Sequence, residues 1–232
     1  MKNRKLVNYV KNKNNKLFEH KVGNFEIFIK DPLPENVLVK DVFSEVQYLV
    51  PDHILKLVDT VYIGQFDYFK ERRANAMYMD GALYLTNSQD NNEDMKDDII
   101  HELAHAVEDK YNDFIYGDSE IKNEYFGKLR KLKNYLAFEG YNIRDISFFN
   151  TEYDEKFDKF LLDEVGYDKL ASHTKDLFLA PYSISSLREY FARGFEEYFL
   201  GNMSYLLQVC PYLFKKVSFL AKNDLESKKY EI

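Results

Sequence analysis

The spacing of apolar residues changes along this chain, from mixed strand and helix periods to an almost uniformly helical one. Residues 24–30, NFEIFIK, alternate apolar and polar positions and predict a strand that ends at DPLP. Val39, Val42, Phe43, Val46, Leu49 and Val50 then follow at helical spacing until Pro51 stops them. PDHILKLV restarts a short helix, and DTVYIGQF (59–66) reads as a buried strand. The clearest local signal is NAMYMDGALYLT (75–86), where Asp80-Gly81 supplies the residues of a tight type I′ turn between two apolar runs. A polar, acidic loop, NSQDNNED, leads into DDIIHELAHAVED (97–109), in which Ile99, Ile100, Leu103, Ala104 and Val107 form the buried face of a helix. Further helices are predicted over roughly 119–138, 153–165, 167–177, 186–200 and 203–222.

Strands early and helices late define an α+β fold and not a repeating βαβ unit. The expectation is a small N-terminal, mostly antiparallel sheet with a helix bearing histidines, then a predominantly helical half. With no internal repeat and no long Gly/Ser linker, residues 25–232 read as one domain. Its first part (25–118) holds the sheet and the histidine helix, and its second (119–232) is helical. Residues 1–24 read as a basic, Asn-rich, solvated arm.

Composition narrows the function classes. A net charge of −7 argues against a general nucleic-acid binder, which needs a basic field to neutralise phosphates. No run is long enough to span a membrane, and the basic arm lacks the apolar stretch of a signal peptide. The single cysteine, Cys210, leaves no internal disulfide and reads as a core residue of a reduced compartment. A cytoplasmic or phage-associated protein is expected. The 19 Phe and 19 Tyr, with no Trp, point to a core built from rings.

The chemistry lies in HELAH. His101 and His105 are one helical turn apart, so both imidazoles project from one face and can share a metal ion. Glu102 is rotated off that line, where it can reach a metal-bound water as a general base. Asp94, Asp97 and Asp98 lie in the first turns, suited to the positive end of the helix dipole. The bland alternative is a pair of surface histidines on an acidic helix.

A catalytic zinc needs a third protein ligand and an open position. The metzincin pattern would place Gly at 108 and His at 111; Glu108 and Tyr111 stand there, which excludes that class. Glu108 shares the histidine face but lies a turn beyond His105. His20, His53 and His173 are isolated and read as surface or core residues. SISSLREYFARGFEEYFL offers the carboxylates Glu189, Glu196 and Glu197. Glu189 has the strongest case, because Tyr182 precedes it by seven residues and a phenol there can donate to an oxyanion. Ser186 to Glu189 also fits the helix capping box S-x-x-E, and bare spacing leaves both readings open. Asp109 reads as a group that orients a ligand or caps a neighbouring helix; Arg188 and Arg193 receive no role.

HELAHAVEDKY followed by Y-x6-EYFARGF resembles the catalytic domain of anthrax lethal factor and its relatives, the Pro-Pro endopeptidases, within the gluzincin metallopeptidases. The resemblance implies a zincin-like fold with a hairpin and edge strand before the zinc helix. It also implies one Zn2+ held by His101, His105 and Glu189, with Glu102 as base and Tyr182 as oxyanion stabiliser. The expected activity is zinc-dependent endopeptidase action on a peptide or protein extended along the 76–86 hairpin, with neither nucleic acid nor membrane as partner. His105 and Glu189 are more widely separated than in that family, and the inserted helical material (about 125–175) can cover or reshape the cleft. Known members are secreted, so export is an expectation by analogy only. The competing class is a catalytically silent zincin-fold structural or interaction protein, such as a phage component, against which the intact Glu102 argues.

Overall fold

A computed structural model describes residues 18–72 and 74–225; residues 1–17 of the expected arm lie outside them. Residues 18–22, also assigned to that arm by composition, form a strand, β1 (Phe18–Val22), hairpinned to β2 (Phe25–Ile29). Helices α1 (Val39–Leu49) and α2 (Asp52–Leu55) follow, broken at Pro51, and then β3 (Thr60–Ile63). A helix not foreseen from the sequence, α3 (Asp67–Arg72), precedes the hairpin β4 (Ala76–Met79) and β5 (Ala82–Leu85). Asp80 and Gly81 both have positive φ (50° and 81°), the backbone that a type I′ turn requires.

The strands form one five-stranded sheet in the order β1-β2-β3-β5-β4. The expected mostly antiparallel sheet is in fact mixed: β1/β2 and β4/β5 are antiparallel, whereas β2/β3 and β3/β5 are parallel. The cause is the connections. A parallel neighbour needs a crossover, which α1 and α2 supply between β2 and β3. The chain from β3 then passes through α3 and the outer strand β4 before β5 returns beside β3. The hairpin's first strand is thereby left at the edge.

One sheet face, built by Phe25, Ile27, Val61, Ile63, Leu83 and Leu85, packs into the main core. The other carries a ladder of rings in which Tyr62 stacks between Phe28 and Tyr84, at centroid distances of 5.5 and 5.2 Å.

Beyond the sheet runs α4 (Asn92–Tyr116), whose N-cap Asn91 accepts from the Asp94 N–H at 3.0 Å. It bends at Tyr111, where φ and ψ leave the helical region. Next come α5 (Glu120–Phe138), α6 (Glu155–Lys159) running into a π-helical turn (Phe160–Val165), and α7 (Tyr167–His173). A 3₁₀ turn (Pro181–Ile184) precedes α8 (Leu187–Phe199). The single helix expected over 203–222 is two, α9 (Met203–Val209) and α10 (Pro211–Lys222), because Pro211 offers no N–H to continue α9 and instead starts α10. Most buried apolar side chains from β2 through α10 form one core shared by sheet and helices, and Phe66, Phe69 and Tyr84 form a separate small cluster. Within it α4 lies against α8, α1 and β4. No helix among the described residues is long and apolar enough to cross a membrane.

Candidate metal centre

Helix α4 delivers His101 and His105 with their Nε2 atoms 3.2 Å apart and their rings nearly perpendicular, at 83°. Both sit where α4 meets α8, and His105 is buried. The metal-binding atoms of His101, Glu102 and His105 all lie within 4.8 Å of one another, a group able to hold a metal ion.

The facing helix brings Glu189. Ser186 caps α8 by accepting the Glu189 N–H at 3.1 Å. The Glu189 carboxylate meanwhile lies 3.2 Å from His101 Nε2 and 3.8 Å from His105 Nε2. The capping and ligand readings of S-x-x-E therefore do not compete: the cap uses the backbone of Glu189 and leaves its side chain to the histidines. Two imidazoles and one carboxylate, all turned inward, are a donor set that suits zinc.

Glu102, buried on the same helix, accepts the Tyr78 backbone N–H at 2.5 Å. The carboxylate proposed as base is thus fixed by the edge strand. Tyr182 donates its hydroxyl to Glu196 Oε1 at 2.7 Å, and its ring centroid is 6.1 Å from that of His101. Glu196, weighed in the sequence as a possible ligand, instead meets the far side of His101, with Oε1 2.5 Å from Nδ1. Glu197 turns away to Arg193 and the Asn202 N–H.

Glu108 lies 3.4 Å from His105 Nδ1 and accepts from the Tyr116 hydroxyl at 2.6 Å. Arg188, given no role from sequence, places Nε 3.0 Å from His105 Nδ1 and 3.4 Å from Glu108. The spacing of Glu108, three residues after His105, was the available signal for it. Sequence offered Glu196 only as a candidate ligand, not as a partner of His101 Nδ1, and gave Arg188 no role. Asp109 lines a cleft of about 590 Å³ that adjoins His105 and is also bounded by Tyr78, Glu108, Tyr116 and Arg188. The other histidines stand elsewhere. His53 bonds the Leu220 carbonyl at 2.8 Å, His173 the Tyr135 hydroxyl at 2.9 Å, and His20 lies on β1 opposite Ile27.

Electrostatics tie the centre together. Burial opposes a charge on His101, but hydrogen bonds to Glu189 and Glu196 outweigh it and push the imidazole up to about 10. For Glu189 and Glu196, burial works to raise the carboxyl pKa, yet the His101 hydrogen bond prevails and holds both below their ordinary range.

The pH dependence follows. A folded-state pKa above the unfolded 6.5 gives stability that is complete below 6.5 and lost as pH rises toward about 10. Asp98, pushed up to about 6 chiefly by burial, has largely titrated before that window. The unfolding midpoint of metal-free protein is expected to fall between about pH 7 and pH 10. His101→Gln should flatten that slope in a thermal melt series.

No family model, curated protein or solved structure matches the chain. Fold and site together define the class: an α+β protein whose mixed sheet and helices enclose a His101-Glu102-His105 group able to hold a metal ion.

Proposed function

We propose that the chain is a zinc-dependent endopeptidase of the gluzincin type. His101, His105 and Glu189 are its metal ligands, Glu102 its general base and Tyr182 its oxyanion donor. The observation that carries this reading is the convergence of Glu189, 84 residues after His105, on the same two Nε2 atoms that the H-E-x-x-H spacing brings together. A chance pair of helical histidines has no reason to meet a distant carboxylate in that way.

Zinc held by His101, His105 and Glu189 would supply Lewis acidity to the attacking water and the scissile carbonyl. Glu102 takes the proton of that water as its oxygen attacks the carbonyl carbon. It then passes the proton to the amine nitrogen as the C–N bond breaks. The Tyr78 N–H keeps the base in place through both transfers. Tyr182 donates to the developing oxyanion once substrate draws its hydroxyl from Glu196.

The substrate is read as an extended peptide beside β4. Asn75 turns its carbonyl to the Thr86 N–H of the neighbouring strand, so by alternation Ala76 and Tyr78 direct their backbone groups away from the sheet. Apart from the Tyr78 N–H, which Glu102 already accepts, these are the groups that strand addition uses. The cleft beside His105 continues from the end of this strand and gives room for residues flanking the scissile bond.

Zinc-loaded protein is expected to fragment an unstructured protein substrate, to stop when zinc is chelated, and to resume when zinc is returned. Zinc uptake without cleavage of any unstructured substrate would favour the silent, structural class instead.

A further inference from the structure

We propose that Glu196 and Glu108 are positioning residues, each taking the Nδ1–H of one ligand histidine and so turning the Nε2 lone pair of that ring toward the metal. The inference rests on the metal-peptidase reading above and concerns residues that do not themselves touch the ion.

A neutral imidazole carries one N–H, and the partner at one nitrogen decides which nitrogen is left to bind a metal. Glu196 Oε1 stands 2.5 Å from His101 Nδ1, and Glu108 Oε2 stands 3.4 Å from His105 Nδ1. Glu196 therefore selects the His101 tautomer whose open nitrogen is Nε2. Glu108 stands where it would accept the His105 Nδ1–H once a metal took Nε2, the atom that faces Glu189 in each ring. A carboxylate behind a ligand histidine also raises its basicity and fixes its ring.

The two carboxylates are held alike. Glu196 is buried and accepts from Arg193 at 2.5 Å and from the Tyr182 hydroxyl at 2.7 Å. Glu108 is buried, with Arg188 at 3.4 Å and the Tyr116 hydroxyl at 2.6 Å. One arginine and one tyrosine clamp each, so neither carboxylate is free to swing off its histidine. The same pattern arises twice from different elements.

A purely structural role, tying α4 to α8, would account for Glu196 but not for the Glu108–His105 contact, since those two residues share α4. Arg188 sharpens the case. Its Nε–H also points at His105 Nδ1, where it meets an acceptor only while the ring proton is on Nε2. A metal on Nε2 moves that proton to Nδ1, and two donors cannot face each other. Glu108 is then the acceptor for both, taking the imidazole N–H and keeping the guanidinium it already contacts.

The test is zinc affinity of the full chain, measured by competition with a chromophoric chelator. Glu196→Gln and Glu108→Gln are each expected to weaken zinc binding about 10- to 100-fold, the usual effect of losing such a partner. Glu196→Asp, which keeps a carboxylate, should recover part of the loss. Glu197→Gln removes an Arg193 partner without touching a histidine and should bind as the wild type does. Circular dichroism melts of the metal-free variants identify those that are folded. Should Glu196→Gln fail to fold, Glu108→Gln and Glu196→Asp decide the matter. Wild-type zinc binding with folded Glu→Gln variants unchanged within about twofold, against the loss stated above, overturns the proposal and leaves the metal reading standing. A wild-type chain that takes up no zinc overturns both.

Discussion

Glu102→Gln is expected to lower peptide hydrolysis by about 10²- to 10⁴-fold, the range for removing a general base, while zinc uptake stays at the wild-type level. The substitution is nearly isosteric, and the amide oxygen of Gln can still accept the Tyr78 N–H that Glu102 accepts at 2.5 Å. The link between α4 and β4 is therefore kept, and the helix carrying His101 and His105 is undisturbed. What disappears is a group able to take a proton from water and return it to the leaving amine. A fluorogenic peptide assay of kcat/KM, paired with elemental analysis of bound zinc, separates the two effects. Equal loss of activity and zinc would mean that Glu102 serves the metal and not the proton.

His105→Ala removes one of the three proposed metal ligands. It leaves His101 and Glu189 as an incomplete set, where a catalytic zinc ordinarily has three protein ligands. It also strips Glu108 and Arg188 of the imidazole they share. Wild-type protein should melt at higher temperature as zinc is added, because a ligand that binds only the folded state stabilises it by about 2.7 kcal/mol at a hundredfold excess over Kd. In His105→Ala the shift should vanish over the same concentration range. A calorimetric zinc titration of both proteins checks this, and a retained shift in the variant would place the metal elsewhere.

The features that local chemistry determines were the ones legible in the sequence. Asp80-Gly81 forced a tight turn and the turn formed, because only residues tolerant of positive φ fit there. The i, i+4 spacing put His101 and His105 on one helix face, and their Nε2 atoms meet as that periodicity requires. Pairing between distant segments was another matter. The parallel β2/β3 and β3/β5 contacts depend on how α1, α2 and α3 route the chain, which no window of residues encodes. Pro211 was in plain view yet was read through, because apolar residues on either side of it kept the helical period. In the centre, the spacing of Glu189 from Tyr182 left a capping role equally open, and only the resemblance favoured Glu189, whose carboxylate lies beside both histidines. Glu196 lies on the same helix but acts on the opposite nitrogen of His101, a distinction made by side-chain direction and invisible to spacing. The same holds for Arg188, which contacts His105 across an interface between helices.

The central claim is that His101, His105 and Glu189 together hold a zinc ion. Anomalous diffraction at the zinc edge, from crystals of the full chain grown with zinc, tests it most directly. The account predicts a peak about 2.0–2.2 Å from His101 Nε2, from His105 Nε2 and from one carboxylate oxygen of Glu189. A zinc-loaded crystal with no peak between the two histidines, or with a peak there that Glu189 does not reach, would contradict it.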